Sequence, residues 1–283
     1  MPLPHGHGSE PRASAGGAKR LIVNADDFGF TREVNEGIVE AHVNGIVTAT
    51  TLMANGDAFD HAVALARENP SLDVGCHLVL VQGRSVADPS RQLPATLAEL
   101  TRVLLRRKLL VYAELRAQVR KILNAGIRPT HLDTHKHTHL LPPVLEAVAQ
   151  LAHEFGIQWV RRPFDFGIDT GARMTKSAVA LGLRVARPGF ARALGELKTT
   201  DHFAGFQLTG TLKQSNLIET LERLPEGLTE FMCHPGKLGP ELRAATTRLK
   251  ESREMELAAL VSPEVRRAIE QRGIELVNYR VRL

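Results

Sequence analysis

Two rhythms of apolar and polar positions take turns along this chain. Short runs rich in aliphatic and β-branched residues lie at 20–27, 48–56, 72–80, 129–135, 157–167, 202–210, 228–236 and 273–279. Between them apolar residues recur at helical spacing over 32–44, 58–68, 97–124, 142–155, 173–195, 211–223 and 240–259. A strand followed by an amphipathic helix, repeated, is the pattern of parallel βα units. Pro142 and Pro143 suit a first helical turn, and Gly126 and Gly156 suit helix ends. Seven or eight such units favour a (β/α) barrel over an open doubly wound sheet. No Gly-x-Gly-x-x-Gly loop follows the first run to mark a dinucleotide site. No linker divides the pattern, so residues 19–283 are expected to form one domain behind a disordered leader over 1–18.

Composition narrows the classes. The 283 residues are 43% hydrophobic and only 5% aromatic, so aliphatic side chains must build the core. The formal charge is +5, but no basic run interleaves with aromatics, and no nucleic-acid partner is expected. Cys76 and Cys233 are too few for a disulfide framework and read as small buried packers. The leader has no apolar stretch of the secretory kind, and no apolar run reaches the ~18 residues of a spanning helix. A cytoplasmic location is expected.

In a parallel barrel the working side chains sit at the C-terminal ends of the strands. The polar residues of this chain fall there. The first run, "LIVNADDFG", ends in Asp26 and Asp27; His77 lies late in the third; the fourth ends in "DTHKHTH"; the seventh ends in "CHPG". Two adjacent like charges resist joint ionisation, and a cation between them and nearby imidazoles removes the conflict. Asp27, His77 and one or more of His135, His137 and His139 make a nitrogen- and oxygen-rich set of the kind that holds a catalytic divalent metal with open positions. Asp26 would then stay ionised and accept a proton from water, the Phe28-Gly29 turn allowing both acids to face one cavity. The three alternating histidines share a face if the segment is extended, whereas His135 and His139 are neighbours if it coils.

"NADDFG", "GCHLVL", "THLDTHKHTH" and "MCHPG", in this order, resemble the YdjC-like family of carbohydrate deacetylases, which includes chitooligosaccharide deacetylases. The resemblance covers about residues 20–280. It implies a distorted TIM-like α/β barrel with the metal site at the C-terminal strand ends. It further implies Asp27, His77 and His135 as ligands of one Zn²⁺ or Mg²⁺ ion, Asp26 as general base and His234 as the acid. Asp133, His137 and His139 would lie behind the ligands or against the substrate, and Arg161 or Phe164 of "RRPFDFG" at the wall of the sugar pocket. Lys136 stands where the family commonly has a middle histidine. The implied reaction hydrolyses the linear amide of an N-acetylated amino sugar, releasing acetate.

Two segments go beyond a plain sugar hydrolase. Residues 99–123 carry seven Lys or Arg among Leu and Val with two Glu, and 172–198 repeats the mixture with one Glu. Basic amphipathic helices can rest on anionic membranes or line an apolar groove. The whole chain resembles the hopanoid-biosynthesis-associated branch of the family, which implies a lipid-linked substrate, an N-acetylglucosaminyl hopanoid. Residues 172–198 are then expected as a lid or wall of an apolar channel, the alternative being a plain outer barrel helix, with peripheral contact at the inner face of the membrane through 99–123 or 172–198. A metal-dependent phosphoesterase is the rival hydrolase, but a two-metal centre wants more carboxylates at the strand ends. A non-catalytic binding barrel would need neither Asp26 nor His234.

Overall fold

A computed structural model of the chain describes residues 17–165 and 188–281. Seven strands, β1 (Lys19–Phe28), β2 (Ala49–Leu52), β3 (Asp73–Leu78), β4 (His131–Thr134), β5 (Trp159–Val160), β6 (His202–Ala204) and β7 (Gly227–Cys233), run in the order β5-β4-β3-β2-β1-β7-β6. Every ladder is parallel. The two ends of this curled sheet meet through single bridges, Trp159 with Lys198 and Asp165 with Phe203. An eighth strand, β8 (Glu275–Leu276), pairs with Arg20 and Leu21 at the start of β1, before the β2 ladder begins at Asn24. It therefore adds no stave between β7 and β1, and the fold is a distorted α/β barrel.

Strand alternation decides what fills the barrel. Leu21, Val23 and Ala25 of β1 point outward into the main core, which the surrounding helices close with residues such as Val34, Ile38, Leu115, Val148 and Leu257. The alternate residue Ile22 points inward and forms a small plug with Ala49, Trp159, Leu228 and Tyr279. The same inward parity brings Asn24 and Asp26 from β1, Thr51 from β2, His77 from β3, His131 and Asp133 from β4, and Glu230 from β7, all buried. Gly75 on β3 makes room for one of these groups, since a Cβ there would lie 2.5 Å from the His131 ring. That ring stacks on Tyr279 with centroids 3.7 Å apart. The barrel is thus apolar at its N-terminal end and charged above.

The helices follow the expected order with three corrections. The 97–124 stretch is two helices, Leu97–Leu105 and Val111–Asn124, because Arg107 turns left-handed (φ 52°) and stops the first. The 240–259 stretch also divides, into Pro240–Ala244 and Glu251–Leu260. A further helix, Pro263–Gln271, starts on Ser262, whose side chain accepts from the Glu264 amide. Among the described residues no helix is long and apolar enough to cross a membrane. The leader over 1–18 falls almost wholly outside the described residues, as do residues 172–187 of the 172–198 segment expected to form a lid.

Helix Arg32–Val43 rests directly on the His234-Pro235-Gly236 turn. A Cβ on Gly37 would come within 2.5 Å of the Gly236 Cα, a contact between two backbones that no side chain can relieve. Gly37→Ala is expected to lower stability by about 1–3 kcal/mol through overpacking, read from the urea midpoint.

Candidate metal and catalytic centre

The acid pair owes its geometry to one residue. Asp26 is inward by parity, so Asp27 should face out. Instead Asp27 adopts φ 72°, and the β1–β2 register slips between Ala25 and Phe28. Aspartate tolerates this left-handed conformation better than most L-residues. The irregularity at Asp27 itself, rather than the Phe28-Gly29 turn, puts both carboxylates into one cavity. The ladder to β7 ends at Ala25 with Cys233, so the next residues on the two strands are Asp26 and His234. Their nearest side-chain atoms, Oδ2 and Nε2, are 4.0 Å apart.

Asp27, His77 and His135 converge. Asp27 Oδ1 lies 3.4 Å from His77 Nε2 and 3.2 Å from His135 Nδ1, and the two imidazole nitrogens are 3.2 Å apart. Donors around a four-coordinate zinc, with bonds of about 2.0–2.1 Å, sit roughly 3.3–3.4 Å from one another. Among the described residues Asp27 Oδ1 is buried without a hydrogen-bond partner. On the far side of His77, Nδ1 faces Asp133 Oδ1 at 2.7 Å. A carboxylate can only accept, so Nδ1 carries the proton and a neutral His77 turns the Nε2 lone pair toward Asp27 and His135. Burial disfavours a charged His77, yet Asp133 and Asp27 outweigh it and raise the group to about 10. The position among the three donors calls for positive charge, and a ligated cation would replace that proton. The residues fit a divalent metal.

"HKHTH" is neither extended nor α-helical. It forms a 3₁₀ turn, His135–Leu140, in which Lys136 (φ 55°) and His137 (φ 51°) are left-handed, so the three histidines separate. His135 faces Asp27. His137 is buried edge-on to Phe206 and Phe203, with centroids 5.3 and 6.0 Å away, and its Nδ1 has no partner. His139 ties the turn down: it contacts Thr134 Oγ1 at 2.6 Å and the Arg161 carbonyl at 3.1 Å. Lys136 is exposed and donates to Gln82 Oε1 at 2.9 Å.

Arg161 is not at a pocket wall. It is 1% exposed and holds three carboxylates: Nη1 and Nη2 clasp Asp26 at 2.7 and 2.6 Å, Nη1 reaches Asp133 at 2.6 Å, and Nε reaches Glu230 at 2.6 Å. Burial opposes ionisation of Asp26, but the guanidinium reverses this and holds the acid well below the usual carboxylate range. Phe164 is buried too, packed edge-on against Phe190 at 5.2 Å. The aromatic with open surface here is Phe206, at 37%.

Four groups behind the site were not anticipated from sequence. Arg253 Nη2 donates to Asp27 Oδ2 at 2.5 Å, leaving only the other oxygen for a ligand. Burial raises Asp27, but Arg253, and after it His135 and His77, keep it well below its ordinary range. One turn on, Glu256 accepts from the His234 backbone amide at 2.6 Å and lies 3.9 Å from His234 Nδ1. Burial lifts Glu256 to about 7 and lowers His234 to about 4, so the resting imidazole is neutral. Glu230 is Arg161's third carboxylate, and Thr51 bonds Asp133 and His77 at 3.1 Å each.

Comparison with known proteins places this arrangement. The model of the family described as YdjC-like protein matches residues 20–271. The chain belongs to the YdjC-like family. A carbohydrate deacetylase of Geobacillus stearothermophilus is 36% identical over 267 residues, covering 92% of this chain and 96% of that protein. One from Brevibacillus brevis is 36% identical over 267 residues, covering 92% and 98%. A crystal structure from Enterococcus faecalis V583, of a protein named for cellobiose-phosphate cleavage, superposes with a TM-score of 0.73 at 28% identity. It covers 93% of this YdjC-like chain and 98% of its own.

His131, His137, His139 and His234 are all buried, and burial lowers each below its ordinary value, His139 to about 3. Unfolding frees them to bind protons below ~6.5, so their contribution is complete above that pH and is lost as pH falls toward the folded values. His77 has the opposite sign, its contribution being complete below ~6.5 and lost as pH rises through about 10. Between pH 5 and 7 Glu230 and Glu256, which burial lifts to about 7, join His77 in opposing the four histidines. Above pH 7 the four histidines are neutral in both states, whereas His77, Glu230 and Glu256 all lose stability as pH rises. EDTA-treated protein should therefore be less stable at pH 9 than at pH 7, measured by urea denaturation at each pH.

Proposed function

We propose that this chain is a metal-dependent carbohydrate deacetylase that hydrolyses the acetamido group of an N-acetylglucosamine-type sugar. The observation that carries this reading is the pairing of Asp26 and His234, 4.0 Å apart, beside the triangle of Asp27, His77 and His135. The two relatives named carbohydrate deacetylase, matched over nearly their whole length, support it. Asp27, His77 and His135 would hold one divalent cation, Zn²⁺ or Mg²⁺. When bound, it supplies the positive charge that polarises the acetyl carbonyl and acidifies water.

The chain's own groups supply the proton transfers. Asp26 takes a proton from the attacking water as the water oxygen bonds to the acetyl carbon. Arg161 fixes the Asp26 plane and keeps it ionised before the reaction. The proton passes to Nε2 of His234, which as imidazolium delivers it to the amine when the C–N bond breaks. Acetate and the free amino sugar leave, and both residues return to their starting states. Asp133 and Thr51 orient His77, and Glu256 anchors the His234 backbone.

A two-metal phosphoesterase is disfavoured by the same geometry. In the second group of potential ligands, Asp26, His77 and Asp133, both carboxylates already hold the Arg161 guanidinium, which fills the cation's role. For the acceptor we propose a sugar on a hopanoid tail, with a soluble chitooligosaccharide as the alternative. The exposed face of Phe206 beside His137 supports an apolar group at the mouth.

Asp26→Asn should lower kcat by about 10²–10⁴-fold while the metal content of the purified protein is unchanged. Loss of acetate release is read by mass spectrometry of acetylated glycolipid and chitooligosaccharide, and metal content by elemental analysis. An Asp26→Asn protein with undiminished turnover would sink the mechanism. His77→Ala or Asp27→Ala should lose the metal as well as the activity. Equal turnover of short chitooligosaccharides and the lipid-linked sugar would remove the hopanoid tail from the proposal.

A further inference from the structure

The turn that splits the 97–124 stretch is built unlike the rest of the surface. Leu105 is 82% exposed and Leu110 76%, the two most exposed large apolar side chains among the described residues, with Leu97 at 44% on the same helix. Between the two leucines lie Arg106, Arg107 and Lys108, with Arg102 one turn back and all four exposed. Arg91 joins them, its guanidinium donating to the Lys108 carbonyl at 2.7 Å. Among the described residues none of these five cations has a carboxylate partner within ion-pair distance. The nearby acids are turned elsewhere: Glu99 accepts from the Ala95 amide, and Asp88 from Ser90.

The turn is fixed rather than frayed. The Lys108 amide bonds the Val103 carbonyl at 2.9 Å and the Arg107 amide the Leu104 carbonyl at 2.9 Å, the paired bonds of a Schellman stop. Arg107 takes the left-handed position that such stops usually give to glycine. Val103, Leu104 and Leu109 pack on the core and hold the base of the projection.

The projection also lies on the catalytic side. Glu114, in the first turn of helix Val111–Asn124, accepts from the Val86 and Ala87 amides at 2.9 and 3.2 Å. Gln118 bonds both backbone groups of Val79, the residue after the C-terminal end of β3. The helix therefore begins at the rim that carries His77, and Leu110 precedes it there.

From this geometry we infer that the 105–110 turn is an interfacial anchor that docks the active-site rim on an anionic lipid bilayer. The two leucines enter the acyl boundary, and Arg91, Arg102, Arg106, Arg107 and Lys108 meet the phosphate layer. Charge selects this occupant over a second copy of the chain, since a two-fold contact would set five cations against the same five. Two leucines are also far short of the ~800 Å² per partner of a stable dimer. The inference goes beyond the proposed deacetylase activity and does not need it.

The test is co-sedimentation of the full-length, metal-loaded protein with sucrose-filled vesicles, of phosphatidylcholine alone or with 30 mol% phosphatidylglycerol (about one lipid in three). Binding is expected to the anionic vesicles only and to fall with added salt. Leu105→Ser/Leu110→Ser and Arg106→Glu/Arg107→Glu should each lower the partition coefficient at least about tenfold, with unchanged thermal unfolding as the control for folding. Absent binding, equal binding to both vesicle types, or binding unaffected by either double variant would overturn the anchor. So would variants that abolish only self-association in analytical ultracentrifugation. Vesicle binding is scored without a deacetylation assay, so failure of the anchor and failure of the proposed activity are read separately.

Discussion

One buried guanidinium organises the interior of this barrel. Arg161 enters from β5 and meets Asp26 from β1, Asp133 from β4 and Glu230 from β7, all with essentially no exposure. Taking these groups out of water is tolerable because the guanidinium holds Asp26 and Asp133 while burial lifts Glu230 to about 7, and removing one partner of a buried pair typically costs about 3–5 kcal/mol. The arrangement therefore dictates much else. It orients the carboxylate that faces His234, and it fixes the carboxylate that sets the His77 tautomer. It also ties the β5 flank to β7 across the seam, where among the described residues the backbone contributes only single bridges. Stability and site geometry here rest on the same contacts.

A second guanidinium does related work from outside the sheet. Arg253 pairs with one oxygen of Asp27 and frees the other for the imidazole triangle, while Glu256, three residues on, holds the backbone at His234. One face of one helix thus positions Asp27 and His234, which arrive on different strands. The charges balance locally, which lets two adjacent aspartates remain ionised in a space from which water is largely excluded.

The strand pattern was legible because alternation is strong in this chain: all eight predicted runs contain a strand, and the four motifs meet at one rim. The convergence of His135 with Asp27 and His77 was implied by the resemblance, since spacing alone left His135, His137 and His139 open. Only the 3₁₀ turn, with two left-handed residues, separates them. The role of Arg161 was missed because an arginine beside "PFDFG" looks like a pocket wall until its three carboxylates are placed around it. Glu230 did leave a trace: in "LTEFMCH" it shares parity with Leu228, Met232 and His234, an acid set between two apolar inward residues. Arg253 and Glu256 left none, because "ESREMEL" reads as a solvated helix. The split at Arg107 was equally hidden, since no glycine marks the stop.

The closure of the barrel by two isolated bridges separates the duties of its walls. Asp27, His77 and His135 all come from β1, β3 and the turn after β4, within one continuous run of laddered strands. The stitched side, between β5 and β6, carries Phe203 and leads to Phe206, whose amide is held by the Asp165 carboxylate at 3.2 Å. Remodelling that side alters the cavity lining without disturbing the inter-strand hydrogen bonds that hold the three donors together. The lining of the cavity can therefore change while Asp27, His77 and His135 keep their places.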